Sequence, residues 1–207
     1  MKTRLSCVFA CLLTAQVGLA QAHGNSSNGN KVNSAKFLKN TEVVLPTDYR
    51  QWVHVGTFMQ ESGINVFDKS EVVVPIIGNT YIEPSAYKVY EKTGKWPDGT
   101  QIVKEFSQIL DNGNCNKISH VCDTKLGQGI FQEKYTGFGY MVKDKKLFPN
   151  EAGNWAFFTT GNVQPPYART AMKKPNGECL ACHIKHASGQ GYVFASQKLG
   201  LQKIKQN

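Results

Sequence analysis

The stretch Cys179-Leu180-Ala181-Cys182-His183, close to the C-terminal end of a 207-residue chain, decides how the rest is read. Two cysteines three positions apart, followed at once by histidine, form the attachment pattern of a c-type haem. The spacing has a chemical reason. On a helical turn each thiol can form a thioether to one haem vinyl group, and the neighbouring imidazole then reaches the iron as proximal ligand. The expectation is one covalently attached haem c, held by Cys179 and Cys182, with His183 on the metal. A zinc site would need a second pair of such ligands. Cys115 and Cys122, the other cysteines beyond residue 22, are spaced too widely to supply it.

The late position of the motif bears on the fold. Small electron-transfer cytochromes carry it near the N-terminus and take a methionine ligand downstream, but no methionine follows His183. Four-helix cytochromes carry it late, yet this chain lacks four long heptad-like segments. Strand-like runs dominate instead: residues 52–58, 71–77, 101–110, 131–144 and 155–160. Pro75 marks an edge or bulge in the second run, with 79–82 as its continuation, and Gly137 and Gly139 allow a bulge in the fourth. Residues 84–94 read as a short helix, with Pro84 at its first position and Gly94 at its stop. Pro165-Pro166 breaks the chain, a helix over 178–187 carries the haem motif, Tyr192-Val193-Phe194 closes the core, and the basic tail from Lys198 frays. The fold class expected is α+β: a mainly antiparallel β-sheet with a few short helices and the haem motif on a C-terminal helix.

Residues 1–22 read as an export signal, with Lys2 and Arg4, an apolar run over 5–19 and the cleavage site Ala20-Gln21-Ala22. The run is too short and too mixed to span a membrane. Residues 23–34 are polar and glycine-rich and read as a disordered tail, leaving 35–207 for the haem domain. Export combined with haem c ligation points to the periplasm. Removing the leader takes the formal charge from +9 to +7, since it holds two cations and no anion. The remaining basic residues are scattered, which suits solubility and gives no nucleic-acid stripe. In an oxidising compartment Cys115 and Cys122 are expected to close a local disulfide, and a metal site using His120 would lack a fourth ligand.

On the strand over 101–110, Lys104 shares a face with Ile102, Phe106 and Leu110. An ammonium on an apolar face is costly unless paired or neutralised; the alternative is a lysine that reaches water from a sheet edge. His54 reads as a sheet histidine, and His186 lies near the proximal face of the haem helix. Met59, Met141 and Met172 read as packing residues rather than sixth ligands. Phe106, Phe131, Phe157 and Phe158 suit a haem wall or an ordinary core equally.

Several pieces in order extend this reading: Tyr49-Arg50-Gln51-Trp52-Val53-His54-Val55-Gly56-Thr57, Thr80-Tyr81-Ile82-Glu83-Pro84-Ser85-Ala86-Tyr87, Lys92-Thr93-Gly94-Lys95-Trp96-Pro97-Asp98-Gly99-Thr100, Val103-Lys104-Glu105, Val142-Lys143-Asp144, Phe148-Pro149-Asn150 and Gly153-Asn154-Trp155-Ala156-Phe157-Phe158. Together with the haem motif and Tyr192-Val193-Phe194, they resemble the cytochrome P-460 family, which includes cytochrome c′-beta. The resemblance implies a mainly antiparallel β fold, a homodimer and a five-coordinate haem. In cytochrome P-460 proper a lysine is cross-linked to the macrocycle and hydroxylamine is oxidised; Lys104 matches that lysine. In cytochrome c′-beta the bond is absent, phenylalanines cap the distal side and nitric oxide binds. Gly78 stands near the place where family enzymes carry an arginine, and Glu83, Glu105 and Glu133 are the carboxylates available for distal proton transfer. The expected activity is hydroxylamine oxidation with electrons passed to a soluble cytochrome. The alternatives are a non-enzymatic nitric oxide binder and a six-coordinate electron carrier.

Overall fold

The computed structural model describes residues 32–65, 67, 69–72 and 75–202. The leader (1–22) and residues 23–31 of the polar tail lie outside the described residues. In chain order the elements are β1 (Phe37–Lys39), β2 (Glu42–Val44), β3 (Val53–Gln60), β4 (Gly63–Ile64), β5 (Glu71–Val72), β6 (Ile76–Ile82), α1 (Pro84–Thr93), β7 (Gln101–Ile109), β8 (Cys122–Thr124), β9 (Gly127–Gly129), β10 (Gln132–Lys143), β11 (Trp155–Thr159), β12 (Thr170–Met172) and α2 (Cys179–Ala187), with short 3-10 turns between them. This is the α+β, mainly antiparallel fold expected, with the haem motif on the C-terminal helix.

The centre is a five-stranded antiparallel sheet in the order β11-β10-β7-β6-β3. Side chains alternate across a strand, and both faces of this sheet are covered, so β7 is buried almost along its whole length. One face gathers Ile82, Ile102, Met141, Trp155 and Phe157 under Leu180 of α2. The other face gathers Val103, Phe138, Tyr140, Val142, Ala156 and Phe158 against Val43 and Ala171 of the small sheet β1-β2-β12. Among the described residues, no helix is long and apolar enough to cross a membrane.

Three sequence readings need correction. The run over 71–77 is not one strand: β5 pairs with β4, and the chain resumes as β6 after Pro75, which has no N–H to give a ladder. The polar segment does not stay tail-like to residue 34. Asn33 donates its side-chain amide to Glu83 Oε1 (2.9 Å) and its backbone N–H to Ser85 Oγ (3.0 Å), and its carbonyl accepts from Gln101 Nε2 (2.6 Å). Composition registers polarity, not these particular partners. The basic tail does not fray at Lys198 either, because Leu201 is buried in the main core and holds it.

The bulge in β10 falls at Gly137, where the pairing with β7 shifts, while Gly139 stays in register opposite Lys104. Gly137 has φ +133°, and a Cβ there would lie 2.0 Å from the Gly161 carbonyl oxygen, so only glycine fits. Helix α1 starts at Pro84, ends at a left-handed Gly94, and is capped by Glu83, whose carboxylate accepts from the backbone N–H groups of Ser85 and Ala86. Cys115 and Cys122 are joined in a disulfide beside the β8-β9 hairpin.

Glu105 is fully buried on the β1-β2-β12 side of the sheet. It accepts from the Tyr49 hydroxyl and from Arg50 Nη2 (2.6 Å) and Nε (3.2 Å). Burial, with the Glu105 hydrogen bond and charge, pushes the Tyr49 phenol well above its ordinary range. The Tyr49→Phe variant removes one of the donors to a buried carboxylate, and its urea midpoint is expected to report a loss of about 1–3 kcal/mol. The Cys115→Ala/Cys122→Ala variant opens a short loop and should lose roughly 2–3 kcal/mol in the same titration, with the haem absorbance unchanged.

Candidate haem site

Helix α2 is aimed by the turn before it. Ala181 N donates to Asn176 O (3.0 Å), Asn176 is held by Lys173 Nζ (2.8 Å) and by Glu151, and Lys174 pairs with Glu178 at 2.8 Å. The helix buries Leu180 and Ala187. Cys179 therefore lies half-buried and Cys182 is more exposed, and neither is in a disulfide. Burial, then the neighbouring Glu178 charge, pushes the Cys179 thiol up, so it is held protonated.

His183 is packed between the rings of Phe157 (centroids 4.6 Å apart) and Phe194 (4.9 Å). Its Nδ1 lies 2.7 Å from the carbonyl oxygen of Tyr192. Burial pushes its pKa down, favouring the neutral imidazole. A neutral ring with Nδ1–H donating to a carbonyl leaves the Nε2 lone pair for a metal.

The Tyr192 carbonyl is itself held. Trp155 Nε1 donates to Gly191 O (3.0 Å), Trp96 Nε1 donates to Gln190 O (3.3 Å), and Tyr192 N donates to Ala187 O (2.8 Å). Gly191 and Tyr192 are both left-handed, at φ +67° and +66°. Trp96 is fixed by a parallel stack on Tyr90, with centroids 3.7 Å apart. Three consecutive carbonyls thus have named donors, and the last donor is the imidazole. Sequence reasoning gave Trp96 and Trp155 no such role, because indole donors act here across long sequence separations.

A cavity of about 350 Å³ opens between α2 and the central sheet. Ile102, Phe106, Met141, Phe157, Phe67 and Phe194 supply apolar walls, and Cys179, Cys182 and His183 lie along one side. Lys104 enters it from β7, as the strand alternation predicted. Its Nζ stands 3.9 Å from the Phe58 ring centroid and 5.4 Å from that of Phe106. Burial, then repulsion from Lys198, takes its pKa down to about 8. Among the described residues no carboxylate forms an ion pair with it.

These features fit a haem c. The thiols lie on one helix turn, the imidazole has an available Nε2, and the walls are apolar. The lining is also net cationic, with Lys69, Lys104 and Lys198 against Glu178, which suits a macrocycle bearing two carboxylates. A further sign is Thr80 Oγ1, which borders the cavity with no hydrogen-bond partner although the residue is 2 % exposed. Among the described residues no group of three or more His, Cys, Asp or Glu side chains could hold a bare metal ion.

The other residues singled out sort as follows. Glu83 caps α1, Glu105 faces the opposite layer and Glu133 is exposed on β10, so none of the three borders the cavity. The carboxylate that does is Glu178, next to the motif, which spacing did not suggest. At Gly78 a Cβ would lie 1.8 Å from the Phe58 ring, so that ring fills the space an arginine would need. Phe106 and Phe157 wall the cavity. Phe158 also borders it but packs its ring on Phe37 and Tyr140 in the opposite core, and Phe131 lies away against Gly129. Met141 borders the cavity, while Met59 and Met172 are exposed. His54 is exposed, 3.1 Å from Thr57 Oγ1, and His186 is exposed on α2.

No curated protein matches the chain. The family profile described as Cytochrome P460 matches residues 46–195, which hold the whole central sheet, Lys104 and the motif at 179–183, and the chain belongs to that family of haem cytochromes.

Proposed function

We propose that this is an exported, periplasmic mono-haem c-type cytochrome with a five-coordinate iron, which oxidises hydroxylamine and passes the electrons to a soluble cytochrome. The observation that carries the reading is Lys104: its Nζ is buried in the cavity bordered by Cys179, Cys182 and His183, with no acidic partner among the described residues. The haem, when bound, supplies an open iron position and accepts the substrate's electrons.

The chain's own residues do the positioning. Cys179 and Cys182 fix one edge of the macrocycle, and His183 offers Nε2 because Nδ1 is engaged by Tyr192. Phe67 and Phe106, 4.9 Å apart in an edge-on pair, keep bulk water from the cavity. An amine with its pKa near 8 is substantially deprotonated at slightly alkaline pH, so Lys104 Nζ has a lone pair; a C–N bond to the macrocycle would replace one N–H and one macrocycle C–H and release two protons and two electrons, which a peroxide would take up as it is reduced to water. A homodimer is part of the same reading, by family resemblance.

A second reading, nitric oxide binding without turnover, is favoured by two observations. Glu83, Glu105 and Glu133 all lie away from the cavity, and the Phe58 ring fills the space above Gly78.

The test uses haem-loaded protein purified after export. Digests of the parent are expected to yield one haem peptide joining residues 179–183 to the Lys104 segment, and the ferrous Soret band should be strongly red-shifted. In the Lys104→Ala variant the haem should remain on the motif peptide alone, the band should lose its shift, and hydroxylamine-driven reduction of a soluble cytochrome should slow by at least roughly tenfold. A parent that binds nitric oxide, leaves hydroxylamine untouched and gives a haem peptide without Lys104 would retire the first reading for the second. A low-spin spectrum with no added ligand would retire both. Light scattering should give twice the mass of the mature chain.

A further inference from the structure

The two edges of the central sheet divide the cavity. Helix α2 packs on β11, with His183 against Phe157, so Cys179 and Cys182 belong to the β11 side. Edge strand β3 is four strand spacings away, roughly 19 Å at about 4.8 Å each. Lys198 sits on that far strand. Its Cα, Cβ and Cγ lie 3.3–3.6 Å from where a Cβ on Gly56 would be, so the missing side chain of Gly56 makes room for the lysine stem. Gly56 is paired with Thr80 of β6, and Thr80 is paired with Lys104 of β7. The stem of Lys198 and the side chain of Thr80 therefore both approach the cavity from its β3-β6 end.

Both are incomplete there. Thr80 Oγ1 is buried with no hydrogen-bond partner, and leaving a buried hydroxyl's hydrogen bond unmade is costly. Lys198 is half-buried on the cavity wall, and no ion pair or side-chain hydrogen bond to it occurs among the described residues. Glu178, the acidic residue of the lining, is already paired with Lys174. A buried hydroxyl and an ammonium, both without a partner among the described residues and both on the wall of one apolar cleft, call for an acceptor with negative charge. A c-type haem tethered through its vinyl edge carries its two carboxylates on the opposite edge.

We propose that Thr80 and Lys198 form a carboxylate-recognition site at the β3 end of the cavity, and that its ligand is a propionate of the bound haem. Thr80 Oγ1–H donates to one carboxylate oxygen and Lys198 Nζ forms the charged hydrogen bond. The site rests on the haem reading above and adds the direction of the macrocycle: vinyl edge under α2, propionates toward β3.

Resonance Raman spectroscopy of the haem-loaded protein tests this through the propionate-bending band, which reports hydrogen bonding to the carboxylates and not catalytic turnover. The band is expected to shift in Lys198→Met and in Thr80→Val, and to hold its parent position in Thr80→Ser, which keeps the hydroxyl. The reduction potential should fall in Lys198→Met and recover in Lys198→Arg. A band unmoved in Thr80→Val overturns the assignment of Thr80, and one unmoved in Lys198→Met overturns that of Lys198. Should Lys198→Met hold too little haem to measure, Thr80→Val, which replaces a buried hydroxyl by a methyl of the same shape, decides alone. A parent that carries no haem at all would instead overturn the cofactor reading on which the site depends.

Discussion

The hydrogen bond between His183 Nδ1 and the Tyr192 carbonyl is the interaction on which the site depends. An imidazole on a short helix could turn about its side-chain bonds, and a wrong turn would bring the wrong nitrogen to the metal. The carbonyl removes that freedom by taking Nδ1–H. It can do so only if it is itself immobile, and the chain around it shows how that is arranged. Trp96 and Trp155 hold the two preceding carbonyls, and Gly191 adopts a left-handed conformation where a Cβ would lie 2.8 Å from the Trp96 ring. Gly153 provides the matching gap for the Tyr192 ring, at 2.4 Å from a built Cβ. Two tryptophans and two glycines, spread from residue 96 to 191, thus converge on one ring nitrogen.

Adjacent residues on β7 show how the same strand separates structure from function. Lys104 and Glu105 are both buried charges, one residue apart, and alternation sends them to opposite faces. Glu105 has a tyrosine hydroxyl and a two-pronged guanidinium, so its charge is satisfied within the protein. Among the described residues, Lys104 has the ring faces of Phe58 and Phe106 and no ion pair or hydrogen bond. A cation over an aromatic face recovers about 1–2 kcal/mol, less than the several kcal/mol that burial of an ion costs. The shortfall is why its pKa drops toward 8. A structural role would have been better served by a leucine, so the retained amine points to chemistry.

Much of this was legible in the sequence because it follows from short periods. The motif at 179–183, the helix between Pro84 and Gly94, and the position of Lys104 on an apolar strand face are all local patterns. Parity held more than was taken from it. Glu105, next to Lys104, could not share its face. The remainder depends on contacts between distant segments. Asn33 looked like tail because nothing in a polar run announces a bond to residue 83 or 101. Lys198 looked like a frayed end because a basic terminus normally belongs to solvent, and what overrules that is Leu201 in the core and the empty space over Gly56. Phe67, in the β4-β5 connection, enters the cavity from a stretch with no periodicity to betray it.

The same contrast bears on how the molecule reaches its final state. Most of its buried polar groups are satisfied within the chain: Glu83 by a helix start, Glu105 by Tyr49 and Arg50, Gln101 by Asn33 and Tyr140. The unmet groups on the α2 side concentrate in the cavity, namely the Thr80 hydroxyl and the ammonium groups of Lys104 and Lys198. Each raises the free energy of the folded chain without a ligand, and each is relieved by a planar apolar group carrying negative charge. On the α2 side a bound haem would meet these groups; on the β1-β2-β12 side Glu105 is met within the chain, while the hydroxyls of Ser107 and Tyr167 are buried without a partner. In the proposed haem complex Cys179 and Cys182 hold one edge of the macrocycle, while Thr80, Lys104 and Lys198 meet the remainder of it. On the proposed reading, non-covalent haem binding and folding of the α2 side are coupled, and thioether formation would then make the bound state irreversible.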